Sequence, residues 1–403
     1  MKILLVVAYF YPEVGSASHL FLDLANGFIS SGDEVEVLTS YPRNYNLKKE
    51  DRKKKFPKFE NYNGIKIHRV SNFGIPRDNI IFRGLEHFIL PIFYSIKSLN
   101  FKKFDAAIIY SPPLPLFFFG RFFKFFKKTP FILNVQDIYP QTVVDIGIMT
   151  NTFFIKIFEW IEKIAYKKSD YITVHSNGNL ELIRKKGCAK NKSCVLTNWT
   201  DVKSINKNQM EDDFRVRHNL ADKFLITYAG IMSKHQNLDI IVDAMRHLQE
   251  NKDIYLYMVG DGIMKNDLVE LVEKYNLDNV RFLPFQDKKI YNEILRQSDV
   301  SIVTLDNRLK TPVVPGKMMN IMAAEVPILA KVPDDGDAAK IIHESGAGIV
   351  VSSNDSEVLA EKIFDFYKNP KKEYGKNGLK YVLRNNDVSK AVRKLKLIIK
   401  DLT

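Results

Sequence analysis

Short apolar runs alternate with longer stretches of mixed character along almost the whole chain. In the first half the runs fall at residues 2–8, 34–39, 65–70, 106–110, 131–135, 171–174 and 194–197, and each reads as a strand. In the second half they recur at 224–229, 254–259, 280–283, 300–304, 327–330 and 348–351. Between them, segments such as 19–31, 237–250 and 266–275 carry apolar residues at helical spacing. Strands too apolar to have a wet face, alternating with helices, predict parallel sheets covered on both sides.

The series of strands starts twice. This predicts two Rossmann-like, doubly wound α/β domains, at residues 1–200 and 223–385, joined by a polar, strandless linker at 201–222. The remaining segment, 386–403, has a helical pattern over 388–402 and enough length to pack back on the first domain. The lysine-rich run at 48–58 reads as a solvated loop. Ligands of such sheets bind beyond the carboxyl ends of the strands, where the strand order reverses.

Composition narrows the class. The 403 residues include 60 Lys and Arg against 47 Asp and Glu, a net charge of +13. The mean hydropathy of −0.18 is that of a folded, water-exposed protein. The excess of positive charge favours anionic partners: phosphate-bearing substrates, anionic lipid or nucleic acid. Cys188 and Cys194 have no partner at metal-ligand spacing and read as free thiols in a reducing compartment. The apolar start, followed by Gly15-Ser16-Ala17-Ser18, has the look of a secretion signal, but Pro12 and Glu13 fall awkwardly for one and the segment serves better as a first strand. The most apolar stretch, 114–126, is interrupted by Arg121 and Lys124 and is shorter than the roughly 20 residues a membrane span needs. These features predict a protein of the cytoplasm.

Candidate chemistry lies where strands pass into helices. Gly15 and Ser16 follow the first strand, small residues that let backbone N–H groups approach an anion or sugar. In the second half, Gly230 closes a strand and leads to Lys234 and His235; Gly260-Asp261-Gly262 closes the next; Pro315-Gly316-Lys317 opens a helix. Three glycine-bearing turns with lysines at two of them suit a nucleotide diphosphate, with Lys317 as the cation that balances departing charge. Asp137, after the strand at 131–135, serves either as a carboxylate at the reacting centre or as a cap of the following helix. The eight histidines show no metal-ligand spacing, and the lone D-x-D, Asp335-Gly336-Asp337, reads as a turn.

The ordered set YFYPEVGSAS, NVQDIYPQ, LTNWTDV, YAGIMSKHQNLD, VGDG, VVPGKMMNIMAAEVPILA and GAGIVV resembles the family 4 glycosyltransferases over nearly the whole chain. More narrowly, it resembles the fucosyl- and fucosaminyl-type transferases of bacterial capsule, colanic-acid and O-antigen assembly. The resemblance implies a GT-B fold, with two Rossmann-like domains facing a cleft. It also implies a nucleoside-diphosphate sugar donor, UDP-linked by expectation, held mainly by the second domain, and retention of anomeric configuration. The acceptor it implies is polyprenyl-diphosphate-linked. No cofactor beyond the donor and no metal is expected.

The chain departs from the family pattern. Where many members have two glutamates seven residues apart, it has Pro312 and Asn320; Asn320 can still hydrogen-bond a ribose hydroxyl. Where they have Arg and Lys it has Ile231 and Gln236, so that Lys234 or His235 must substitute. A subgroup with Pro-Ser-Lys suggests Lys317 as the principal diphosphate cation.

Two segments interleave aromatics with lysines. In 153–168, Phe153, Phe154, Ile157, Phe158, Ile161 and Ile164 share a helical face, Trp160 lies near its edge and Lys163 flanks it. Together with Phe122 and Lys124 of 117–128, these predict contact with an anionic membrane surface at its cytoplasmic face. Packing on the sheet is the alternative. Two other functions compete: a UDP-sugar 2-epimerase, which needs several carboxylates where only Asp137 is at hand, and a nucleic-acid-binding protein. Against the latter, the aromatics lie in apolar clusters and no nucleic-acid motif is present, so no nucleic acid is expected as a partner.

Overall fold

A computed structural model describes residues 1–43, 47, 51, 53–71, 80–205 and 214–403, with 80–85 described by backbone alone. It divides into two units. Met1–Trp199 with Val388–Thr403 forms the first and Thr200–Asp387 the second.

The sheet of the first unit contains β1 (Lys2–Val6), β2 (Glu34–Ser40), β3 (Phe59–Tyr62), β4 (Ile65–Val70), β5 (Ala106–Ser111), β6 (Phe131–Val135), β7 (Tyr171–Val174) and β8 (Ser193–Val195). Their order is β3-β4-β2-β1-β5-β6-β7-β8. All pairings are parallel except that of β3 with β4. Successive residues of β1 serve opposite cores. Ile3 and Leu5 pack with Phe21, Leu24 and Phe28, while Leu4 and Val6 pack with Tyr94, Phe117 and Phe123. Burial on both faces is why these strands read as unbroken apolar runs.

Strand β3 was not foreseen. It is an edge strand with no buried residue, so it has no apolar run to betray it. Its signal is the turn: Asn63 and Gly64, both with positive φ, join it to β4 as a two-residue hairpin. The described part of the charged run at 48–58 includes an Asp51–Lys54 ion pair of 2.6 Å; residues 48–50 and 52 lie outside the described residues.

The second unit has β9 (Phe224–Ala229), β10 (Ile254–Val259), β11 (Val280–Leu283), β12 (Val300–Thr304), β13 (Ile328–Lys331) and β14 (Gly348–Val351). They are ordered β11-β10-β9-β12-β13-β14 and all parallel. The expected linker differs from expectation at both sides. Residues 206–213 lie outside the described residues, but the flanking Val202–Ile205 and Phe214–Arg217 are helical. Val202, Ile205 and Phe214 are buried, the last against Tyr257 of β10, so these pieces belong to the second unit's core.

The helix Val388–Leu402 packs on the helix Ser16–Ser30 within the first unit. Gly27 makes the approach possible: a Cβ there would lie 2.9 Å from Val388 and 3.0 Å from Val392. Leu395 and Ile399 are fully buried, each contributing about 1.5–3 kcal/mol of apolar burial.

Candidate functional site

The strand order of the second unit reverses between β9 and β12, which places its ligand end at the turns following those strands. The turns after β9 and β10 run together. Gly230 N–H donates to the Val259 carbonyl (2.9 Å), Met232 N–H to that of Asp261 (2.9 Å) and Met264 N–H to that of Met232 (3.1 Å). A Cβ on Gly260 would sit 2.0 Å from the Gly230 oxygen, and one on Gly262 2.2 Å from the Met232 oxygen. With φ of 147° and 155°, these two positions require glycine on both steric and conformational grounds.

Lys317 opens the helix Lys317–Ala323, following Pro315 and Gly316. Its ammonium is buried and has no hydrogen-bond partner. It lies 3.8 Å from the centroid of the Tyr228 ring and 3.3 Å from where a Gly230 Cβ would stand. Burial pushes it down to about 7. His235 is lowered as well, by burial first and then by the charge of Lys317, with Asp306 opposing. A buried ammonium without a partner is costly, and clusters of such groups mark functional sites. The structure thus brings Gly230, His235, Lys317 and the Gly260–Gly262 turn together.

Other expected residues are placed differently. Lys234 is exposed in a short 3-10 turn, Lys234–Gln236. The Asp261 carboxylate accepts from its own turn at Gly262 N–H (2.9 Å). Asn320 is committed within the fold, accepting from the Thr200 hydroxyl at 2.7 Å and bonding the Tyr291 hydroxyl. Sequence reasoning missed Lys331 at the end of β13. Its buried ammonium donates to Asn307 (3.2 Å) and Asn354 (2.5 Å), tying the loops after β12 and β14. A lysine ending an apolar strand was its one signal.

In the first unit the order reverses between β1 and β5. Gly15 caps the helix Ser16–Ser30 without a side-chain bond, and nothing lies within 4 Å of where its Cβ would be. Asp137 follows β6. Its neighbour Gln136 is fixed, donating to Asn134 (2.9 Å), which donates to Thr173 (2.9 Å). Burial pushes the Asp137 carboxyl up to about 6, and the Tyr110 hydroxyl is raised by burial and by Asp137's charge. The next helix, Gln141–Asp145, is capped at Pro140 with no side-chain bond, so the capping alternative for Asp137 has no counterpart in the structure.

A further cluster was illegible because its members come from distant segments. Arg43, fully buried, lies 3.5 Å from the Tyr9 ring centroid and 3.1 Å from the Glu86 carboxylate, and its N–H donates to Glu13. The desolvation cost of burying two charges can exceed their attraction, so a buried ion pair of this kind is weak evidence for stability.

The aromatic-basic segments divide in two. Phe158, expected to touch a membrane, is buried against Phe88 and Tyr139, because the helix Thr152–Lys168 turns that side to the sheet. Phe122 is half-buried against Phe126, and Lys124 is ion-paired with Asp170. Trp160 and Lys163 are exposed, as are Phe125, Phe126, Phe153 and Phe154, the first of these at 69%. The adjoining helix Ile80–Ser98 adds exposed Ile92 and Ile96. Among the described residues no helix is long and apolar enough to cross a membrane.

Residues 210–401 match the family model described as "Glycosyl transferases group 1". A probable glycosyltransferase of Pseudomonas aeruginosa, WbjE, is 24% identical over 304 residues, 72% of this chain and 74% of that protein. From Campylobacter jejuni, N-acetylgalactosamine-N,N'-diacetylbacillosaminyl-diphospho-undecaprenol 4-alpha-N-acetylgalactosaminyltransferase is 26% identical over 204 residues, 50% of this chain and 52% of the enzyme. The crystal structure of Anabaena HepE with UDP-glucose superposes with a TM-score of 0.72 at 16% identity, covering 100% of both chains. Nothing in these likenesses supports the 2-epimerase. With two α/β units of the GT-B fold and a match to the group 1 model over residues 210–401, this chain is a glycosyltransferase similar to those of group 1.

Proposed function

We propose that this glycosyltransferase moves a sugar from a UDP-sugar to a saccharide carried on a polyprenyl diphosphate, retaining configuration and using no metal ion. The observation that carries this is the buried, unpartnered Lys317 ammonium beside the glycine turns of the second sheet. In the transfer, the bond between the anomeric carbon and the phosphate oxygen breaks, and the diphosphate leaves with the electron pair. An acceptor hydroxyl forms the new bond and gives up its proton. Charge grows on the leaving diphosphate, and the Lys317 ammonium offsets it. Asp137 accepts the acceptor's proton or stabilises positive charge on the sugar. Support for UDP comes from the ligand of the Anabaena structure, and support for the acceptor from the Campylobacter enzyme's name. Support for retention comes from the family resemblance.

The donor set favours metal independence. Among the described residues no three His, Cys, Asp or Glu side chains are grouped to hold an ion, and Asp337 of the D-x-D pairs with Lys340 at 3.1 Å. A panel of nucleotide sugars, assayed by nucleotide release in the presence of a lipid-diphosphate saccharide, tests the reaction. Release from a UDP-sugar should persist in excess EDTA. Loss in EDTA that Mn²⁺ restores would overturn the metal-free mechanism, and no release from any nucleotide sugar would overturn the function.

A lipid-linked acceptor stays in its bilayer, so the enzyme works as a peripheral protein at the cytoplasmic face. The exposed Phe125, Phe126, Phe153, Phe154 and Trp160, with Lys128, Lys156 and Lys163 nearby in sequence, suit an anionic surface. Each lysine near such a leaflet contributes on the order of 1 kcal/mol, and the aromatics add apolar burial. Co-sedimentation with anionic vesicles should weaken with salt without vanishing. Phe125→Ser combined with Trp160→Ser should reduce it further. Equal binding to neutral and anionic vesicles, or none to either, would refute this.

A further inference from the structure

Tyr228 has no role in any reading of the sequence beyond ending a strand, yet its surroundings single it out. It is fully buried near the end of β9. Its hydroxyl donates to the Ile231 carbonyl at 2.9 Å and lies 3.4 Å from the Gln236 amide oxygen, which fixes the ring against the turn that follows. The face of that ring holds the Lys317 ammonium at 3.8 Å. No hydrogen bond competes for the ammonium, and Gly230, lacking a side chain, leaves the space beside it open. We propose that Tyr228 is a positioning residue, whose ring keeps the Lys317 ammonium charged and aimed until a donor diphosphate takes it over. The proposal rests on Lys317 being the diphosphate cation.

The physical reason is a matter of degree. A carboxylate in this place would neutralise Lys317 and would have to be displaced by the donor. An aromatic face attracts a desolvated cation through its quadrupole but carries no net charge, so the ammonium is held and still free to bind an anion. Among the described residues, the other titratable group bearing on Lys317 is His235, from the turn Lys234–Gln236. Asp306, beyond His235, is held by Arg308 through contacts of 2.5 to 3.0 Å. Neither replaces the ring as a partner.

Two measurements test this. The first follows the protonation of Lys317 in the unliganded protein by NMR of isotope-labelled lysine, with the signal assigned by its loss in Lys317→Met. Tyr228→Phe keeps the ring and should leave the titration in place. Tyr228→Leu should weaken proton affinity by roughly threefold to thirtyfold, the range of a desolvated cation–ring contact. Should Tyr228→Leu not fold, ring-fluorinated phenylalanine at position 228 keeps the volume while weakening the negative face, and should shift the titration the same way. The second measurement is UDP-glucose affinity across the neutral pH range, since the sugar nucleotide's diphosphate does not itself titrate there. Affinity should fall as pH rises, beginning at lower pH in the variants that lose the ring face. An unchanged Lys317 titration in those variants overturns the role of Tyr228, as does a Tyr228→Phe variant as impaired as Tyr228→Leu. A Lys317→Met variant that binds UDP-glucose like the wild type would instead overturn the diphosphate role of Lys317.

Discussion

Lys317→Ala is expected to lower turnover on the order of a hundredfold or more, with smaller effects on folding than on rate. The ammonium lies in a water-poor site, where a unit charge acts on the departing diphosphate with little screening. Removing it takes away stabilisation that grows as the bond breaks, so kcat falls and not affinity alone. Alanine also leaves a cavity beneath Tyr228 and Gly230, which confuses chemistry with packing. Lys317→Met fills most of that volume without the charge and should lose a similar factor. Unfolding temperature and steady-state rate, measured on both variants, separate the two effects. Wild-type rates in a folded Lys317→Met protein would remove Lys317 from the mechanism.

For Asp137→Asn a fall in kcat of roughly 10²- to 10⁴-fold is expected, with donor affinity nearly unchanged. Asparagine preserves shape and capping capacity, so a residue that merely capped the helix Gln141–Asp145 would tolerate it. pH adds an independent measure. Burial raises the Asp137 carboxyl to about 6, so as pH falls through that value the required carboxylate is lost and kcat/KM declines. Burial lowers Lys317 to about 7, so as pH rises through that value the required ammonium is lost and kcat/KM declines again. On the proposed mechanism a narrow bell is expected, with its acid limb assigned to Asp137. In Asp137→Asn the acid limb should vanish while the alkaline one remains. An acid limb that survives the substitution would assign the base to another group.

Much of this was legible in the sequence because both sheets are buried on both faces. Runs such as 224–229 or 254–259 have no polar alternation to blur their ends, and the observed β9 and β10 coincide with them. Where one face is wet the signal fails, and β3 went unseen although Asn63-Gly64 marks its turn. Helical spacing predicted a shared apolar face for Phe153, Phe154 and Phe158, but periodicity does not say which part of a wide face meets the sheet. In the fold Phe158 does, while Phe153 and Phe154 stay in water.

The glycine turns around Gly230 and Gly260 could be found from their place after strands, since a local need for close backbone approach leaves a local mark. The cluster of Arg43, Glu86 and Tyr9 could not, because three separated segments supply it. Nor could the commitment of Asn320 to Thr200, a contact across 120 positions of chain. Chemistry confined to one turn was readable; chemistry assembled by topology was not.

The helix Val388–Leu402 is made only after the whole of the second unit, yet it supplies Val392, Leu395 and Ile399 to the core of the first. On the ribosome, the sheet of the first unit therefore waits with the outer side of Ser16–Ser30 uncovered while Thr200–Asp387 emerges and folds. A message cut at Asp387 would leave every residue of the second unit in place and strip a wall from the first. Such a product should aggregate through its first unit, so that loss of the helix Val388–Leu402 is felt at the far end of the sequence from where it lies.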